Sequence, residues 1–208
     1  MIRSVPHMDE QSLENISRYF KPFLDMNRQE IKELMSYCEV RHFSKKEVIV
    51  DEGTIDNYLN IVIAGLVRKF IRVSKREETL QLATEGHVIH SEISFLQRKP
   101  SEVILQALEP TTVVSMSYES MMSALEKFPK GERLGRMILS RMYVKKNERI
   151  SIKASLSAKE RFVGYIQKNP HMLKRVPQKF LASYLHIKPE TFSRLKQFVK
   201  NNKGSNLG

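Results

Sequence analysis

The stretch QKFLASYLHIKPETFSRLK, Gln178–Lys196, decides how this chain is read. Leu181, Ala182 and Leu185 are spaced to line one face of a first helix. Ile187 falls in a connecting turn, and Phe192, Leu195 and Val199 carry the apolar face onto a second helix. Ala182 is small where the two helices must approach closely. Pro189 suits the first turn of a helix, because its missing N–H would have no intrahelical partner there. This is the pattern of a helix-turn-helix that lays its second helix in the DNA major groove. The outward positions of that helix carry Glu190, Ser193 and Arg194. Arg pairs bidentately with guanine, Glu accepts from cytosine, and Ser bonds bases or phosphate. An ordinary helical hairpin with a solvated outer face would show the same apolar spacing. The turn position often held by Gly is His186, which costs energy if its φ is positive.

Charge separates the hairpin reading from the DNA reading. Residues 130–208 hold 19 Lys+Arg and 4 Asp+Glu, a balance of +15. Residues 1–129 hold 16 and 19, a balance of −3. One part of the chain is built to face a polyanion and the other is not. A membrane surface would also attract positive charge, but it would need a strongly amphipathic exposed helix, and none stands out.

Composition bounds the remaining classes. With 208 residues, 41% of them hydrophobic, the chain can fill one large or two small cores. No apolar run approaches the roughly 20 residues that span a bilayer. The N-terminal MIRSVPHMDEQSLENI lacks the apolar centre of a signal peptide, so a cytoplasmic location is expected. Cys38 is the single cysteine, which excludes an intrachain disulfide and a cysteine-held cluster. Its expected role is packing, with a redox sensor as the alternative.

Upstream the pattern changes twice. Glu10–Phe23 and Arg28–Tyr37 have apolar residues at helical spacing. From Glu39 to Ser117, short alternating segments follow one another. Examples are Glu47–Val50, Tyr58–Ile63, Leu66–Val73, Thr79–Thr84, Glu102–Leu108 and Thr111–Met116. Gly53, Gly65 and Gly86 punctuate them, and Ser74–Glu77 reads as a hairpin turn. Many short, evenly spaced strands imply a jelly roll or similar barrel. Tyr118–Lys127 reads as a short helix and Lys130–Lys153 as a long one. The stripe Leu134, Met137, Ile138, Met142 and Val144 on the long helix fits pairing with its copy in a homodimer, or packing on its own domain. Ser155–Ser157 reads as a hinge, and Ser157 with Glu160 as a capping box opening a helix over Ala158–Lys168.

The order of these parts resembles the CRP/FNR family of bacterial transcription regulators. The resemblance rests on the Gly53–Leu59 stretch, the Ile63-Ala64-Gly65 turn and Pro189-Glu190-Thr191-Phe192-Ser193-Arg194. The segment VPQKFLASYLHIKPETFSRL is similar to the cyclic-nucleotide-binding-domain regulators common in Bacteroidetes. The resemblance implies an α+β fold: a double-stranded β-helix (jelly-roll) sensor over 1–129, a dimerisation helix over 130–153, and a helix-turn-helix domain over 154–208. Only about a dozen residues follow Lys196, so the usual β-hairpin wing is expected to be missing. It further implies a homodimer on a palindromic double-stranded operator, with RNA polymerase as a further partner and no membrane or enzymatic role. Base and phosphate contacts would come from Lys179, Lys188, Pro189, Glu190, Thr191, Ser193, Arg194 and Lys196.

The family's ligand cassette aligns with Gly86–Ala107. Ser91-Glu92-Ile93-Ser94 is similar to its G-E-L-[GAS] motif, which puts Glu92 at the ribose position. Ser101 stands where the family's phosphate-binding Arg is expected. A serine supplies neither charge nor a planar fork. Arg98 and Lys99 lie nearby as substitutes, and Lys146 and Asn147 fall by register where the long helix would reach a base. The expected effector is therefore an unidentified small ligand or none, with cAMP as the alternative; a solvated turn carboxylate is the plain reading of Glu92. A cupin-like β-roll enzyme is the competing class, suggested by His87, His90 and Glu92. Its metal would need two His on one strand face, and a spacing of three puts them on opposite faces.

Overall fold

The computed structural model describes residues 20, 21, 24–74 and 76–204. These form two compact units. The first runs to Ile71 and resumes from Gln81 to Tyr143; the second comprises Arg72–Leu80 and everything from Val144 onward. The expected helix over Glu10–Phe23 lies almost wholly outside the described residues, as does the side chain of Val199.

Eight strands build the first unit and the hairpin that leaves it. They are β1 Cys38–Phe43, β2 Val48–Val50, β3 Tyr58–Ala64, β4 Val67–Val73, β5 Arg76–Ala83, β6 Val88–Ile89, β7 Ile104–Ala107 and β8 Thr111–Ser117. They form two four-stranded sheets, ordered β1-β8-β3-β6 and β2-β7-β4-β5. The pairings β1–β8, β3–β8 and β4–β7 are antiparallel. Phe43, Val50, Val62, Val67, Ala83, Ile89, Leu105, Ala107 and Val113 fill the space between the sheets. Apart from the β4–β5 hairpin, the paired strands are not consecutive in the chain, as a jelly roll requires.

The sequence reading missed β1 and β6. β1, CEVRHF, alternates weakly and is only half-buried for most of its length, so it carries little apolar signal. β6 is two residues long. The predicted helix over Arg28–Tyr37 stops at Met35, because Cys38 already pairs with Met116 of β8. The turn between β3 and β4 demands glycine. Gly65 has φ +103°, and a Cβ there would lie 2.6 Å from Pro110 O.

The outer face of the first sheet is covered by helices. α1 Arg28–Met35 opens on a capping box between Asn27 and Glu30 and buries Ile31, Leu34 and Met35. These pack with Ile61 and Val114 of the sheet and with Phe128 and Leu134. Lys130 Nζ reaches Glu30 at 2.7 Å, tying α1 to the start of the long helix. α2 Glu92–Gln97 follows β6. α3 Tyr118–Lys127 is capped by Ser117, whose Oγ accepts from Ser120 N–H. α4 Gly131–Ser155 is the long helix, and its C-terminal part from Val144 belongs to the second unit.

In the second unit α4 ends at Ser155, so the expected hinge narrows to Leu156 and Ser157. α5 Ala158–Lys168 opens on the anticipated Ser157–Glu160 capping box. α6 Met172–Arg175, α7 Gln178–Tyr184 and α8 Pro189–Gly204 follow. Phe162, Met172, Val176, Leu181, Ala182, Ile187 and Phe192 are buried together with Ile166 and Leu185 as the apolar residues of these helices. Phe162 of α5 meets Phe192 of α8 edge to face at 5.0 Å. α8 runs to Gly204, the last of the described residues. The tip of the β4–β5 hairpin is tied to α7: Thr79 N–H donates to Ser183 Oγ at 2.9 Å.

Candidate functional site

Two places gather the residues singled out above. The first is the start of α2 in the first unit. Ser91, Ser94 and Ser101 are buried there together with Asp56. The Asp56 carboxylate accepts from Ser91 N–H at 2.6 Å and from Tyr58 N–H at 3.1 Å. Burial drives the Asp56 carboxyl above its ordinary range despite those bonds. Ser94 Oγ accepts from Asp56 N–H at 2.8 Å and donates to Lys99 O. The Ser91 and Ser101 hydroxyls are 2.9 Å apart. Ser101 is also pinned through its backbone, donating to Thr54 O and accepting from Gly53 N–H, both at 2.8 Å. Ile93, grouped with these residues in the sequence, is instead exposed to solvent.

Glu92 is not a free turn carboxylate. Lys69 of β4 donates to Glu92 Oε1 at 2.6 Å, to Glu92 Oε2 at 2.8 Å and to His90 O at 3.1 Å. Burial pulls the Glu92 carboxyl up, but the Lys69 charge outweighs it, helped by His90 and by hydrogen bonds, and leaves the carboxyl below its usual value. His90 is buried against Phe95, edge to face at 5.4 Å. Burial lowers its pKa to about 4, with Glu92 opposing and Lys69 adding to the shift. His87 bonds instead to Thr84. Among the described residues no group of three or more His, Cys, Asp or Glu is arranged to hold a metal ion.

The substitute cations suggested by the sequence are engaged elsewhere or exposed. Arg98, in the left-handed region at φ +55°, donates to Asp56 O at 2.9 Å and to Asn57 Oδ1, and lies over the Tyr118 ring. Lys99 is exposed. Lys146 and Asn147 lie in the part of α4 that belongs to the second unit. Lys69 is the residue that sequence reasoning missed. Its signal was present: strand alternation in VRKFIRV puts it on the same face as Val67, so a charge points where the neighbours are apolar.

The second place is the α7–α8 corner. Leu185 caps α7, and His186 follows in the left-handed region at φ +52°. His186 N–H donates to Ser183 O at 3.0 Å and Ile187 N–H to Ala182 O at 2.9 Å. This is a Schellman turn with histidine in the place glycine usually takes. Burial, then Lys153 and Arg149, holds the His186 imidazole below its ordinary pKa, and Glu78 opposes them. Arg161 of α5 fixes the turn from behind, donating Nε to Leu185 O at 2.8 Å, Nη2 to His186 O at 2.9 Å and Nη1 to Leu156 O. Arg149 of α4 lies over the Tyr184 ring and donates to Tyr184 O at 3.3 Å. Neither arginine is conspicuous in the sequence, since each sits among many other cations.

Beyond that corner Lys179, Lys188, Pro189, Glu190 and Arg194 are exposed. Thr191, Ser193 and Lys196 are half-buried, and Lys196 Nζ lies 3.4 Å from Gln178 Oε1. Cys38 donates to Leu34 O, and burial pushes its thiol up to about 12, which suits packing rather than redox chemistry.

The first unit is thus a two-sheet roll with a short helix between β6 and β7. Residues 40–128 match the family described as "Cyclic nucleotide-binding domain", and that part of the chain is a domain of this family. No curated protein matches the chain significantly. Solved structures of CRP/FNR-type regulators share the fold. The c-di-GMP responsive global regulator CLP of Xanthomonas campestris is 19% identical over 85% of this chain and 93% of its own, with a TM-score of 0.63. FixK2 of Bradyrhizobium japonicum is 18% identical over 80% of this chain and 86% of its own, at 0.65. The catabolite activator protein of Thermus thermophilus is 20% identical over 87% of each chain, at 0.54. Among the described residues no helix is long and apolar enough to cross a membrane.

Proposed function

We propose that the protein is a sequence-specific DNA-binding transcription regulator of the CRP/FNR type, not an enzyme. One observation carries the reading. The α7–α8 corner buries its apolar face and presents Lys188, Glu190 and Arg194 to solvent, in the part of the chain with a balance of +15. α7 and α8 then act as a helix-turn-helix, with α8 as the recognition helix. Lys179, Lys188, Thr191 and Lys196 would neutralise phosphates while Glu190, Ser193 and Arg194 read base edges. Residues 154–208 serve as the DNA-binding domain, residues 1–129 as the sensor and residues 130–153 as the dimerisation helix.

The dimer reading is supported by apolar residues that α4 leaves uncovered. Leu139, Tyr143 and Ile150 are all more than half exposed and recur at intervals of four and seven. A twofold dimer places two recognition helices on two half-sites, so the operator would be palindromic. The test is DNA binding at two salt concentrations. Phosphate contacts make the affinity fall steeply with salt, and a salt-independent or absent interaction sinks the reading.

The Ser91–Ser101 segment is the ligand site of such a domain. Its polar groups bond one another and Ser101 offers no charge, so weak or no binding of cAMP is expected. Calorimetric affinity in the micromolar range or tighter would overturn that expectation.

A further inference from the structure

A lysine in the inward row of a strand needs an explanation, because a buried ammonium without partners is costly. Val67 belongs to the cluster between the sheets, and Lys69 shares its face of β4. The ammonium has three protons. Three acceptors stand around it: His90 O and both oxygens of Glu92. The pair is asymmetric, with the Lys69 side chain 7% exposed and that of Glu92 47%. The lysine is committed to the interior, and the glutamate comes to it.

The consequence concerns what else Glu92 can bind. The Lys69 ammonium adds the attraction of opposite charges to its hydrogen bonds with the Glu92 carboxylate, which a ligand's neutral hydroxyls cannot supply. A ligand offering hydroxyls to Glu92 must displace the ammonium and leave it buried without its counter-charge, the costly way to break such a pair. An anionic ligand group finds the neighbouring donors occupied too. Ser91 N–H is held by the Asp56 carboxylate, and Arg98 is held by Asp56 O and Asn57.

We propose that Lys69 is a tethered occupant of the Ser91–Ser101 site. It satisfies Glu92 in place of a ligand's hydroxyls and closes the site to cyclic nucleotides. DNA binding by this protein is therefore independent of them. The inference rests on the reading of this segment as the domain's ligand site.

The test uses the full chain and the variants Lys69→Met, Glu92→Gln and their combination. Each single change should lower the thermal midpoint by roughly 3 °C. The combination should fall less than about 1 °C below the worse single variant, because one interaction is lost once. Fully additive losses overturn the proposal. Calorimetry with 3′,5′-cyclic AMP at about 1 mM gives the second readout. The wild type should give no binding heat. Lys69→Met combined with Ser101→Arg frees Glu92 and adds a guanidinium, and it should bind at least about tenfold tighter than the wild type. Micromolar binding by the wild type overturns the proposal, as does no gain in that double variant with its melt cooperative. DNA affinity measured with and without the nucleotide should be the same. Failure to bind DNA at all sinks the regulator reading but not the ion pair, which the melts and the calorimetry judge separately.

Discussion

Arg161 Nη2 donates to the carbonyl oxygen of His186 at 2.9 Å, and so one side chain of α5 holds the turn from which α8 springs. The same guanidinium holds Leu185 O at 2.8 Å and reaches Leu156 O beside the break between α4 and α5. Three carbonyls on two loops converge on one planar donor set, a geometry that an ammonium cannot reproduce.

Arg161→Ala should therefore destabilise the C-terminal unit by about 1–3 kcal/mol, the range for leaving partly buried acceptors unpaired. DNA affinity should fall with it, although Arg161 is not among the residues proposed to read bases. Arg161→Lys should recover only a minor part of the stability. Thermal denaturation of the three proteins decides; full recovery by lysine would show that charge, not the fork, is what the turn needs.

His186 holds φ +52° with a side chain that disfavours that region. His186→Gly should remove the strain, while a more flexible unfolded chain offsets part of the gain. The expected result is a net stabilisation of up to about 1 kcal/mol with operator affinity unchanged. Chemical denaturation measures it, and a loss of stability would mean that the imidazole contributes packing that outweighs the strain.

Arg194 is exposed on α8, where its guanidinium faces solvent. Arg194→Ala should leave folding and dimerisation intact and weaken specific binding by about 1–3 kcal/mol, with little change in non-specific affinity. Lys188→Ala should weaken both and lower the salt slope by about one. Titrations of operator and unrelated DNA compare the two; an Arg194→Ala protein that still prefers its operator equally would remove α8 from the reading role.

The C-terminal corner was legible in the sequence because its signals are local. Leu181, Ala182, Leu185, Ile187 and Phe192 follow helical spacing and are all buried. Pro189 opens α8 and Ser157–Glu160 caps α5, as their types dictate. Strands β2, β3, β4, β5, β7 and β8 were legible within a few residues, since each is a short apolar-rich segment bounded by turn residues. What the sequence hid depends on contacts across long separations. Glu92 looked like a ligand's partner, and its actual partner is 23 residues away on β4. Arg161 meets its carbonyls 24 and 25 residues later. No spacing rule links such pairs, because the roll and the helix packing bring them together only after folding.

His90 gives the last prediction. In the unfolded chain its imidazole titrates near 6.5, and in the folded protein burial lowers that to about 4, with Lys69 assisting and Glu92 opposing. Between these values the unfolded chain binds a proton that the folded protein refuses, so stability rises with pH across the window. The contribution is fully present above about pH 6.5 and is lost as the pH falls towards 4; its ceiling is about 3 kcal/mol. His186 is shifted in the same direction and adds a smaller loss over the upper part of the window. Glu92, held below its normal value, adds its own loss only below about pH 4.5. Urea denaturation of the wild type between pH 7 and 4.5 should thus show a declining midpoint, and His90→Leu should flatten most of that decline while His186 keeps a remnant. The leucine also removes the buried Nδ1, which has no hydrogen-bond partner among the described residues, so the variant should not lose stability at pH 7 beyond what imperfect packing against Phe95 costs. An unchanged slope in His90→Leu would move the acid sensitivity to other groups and leave the buried histidine without a thermodynamic role.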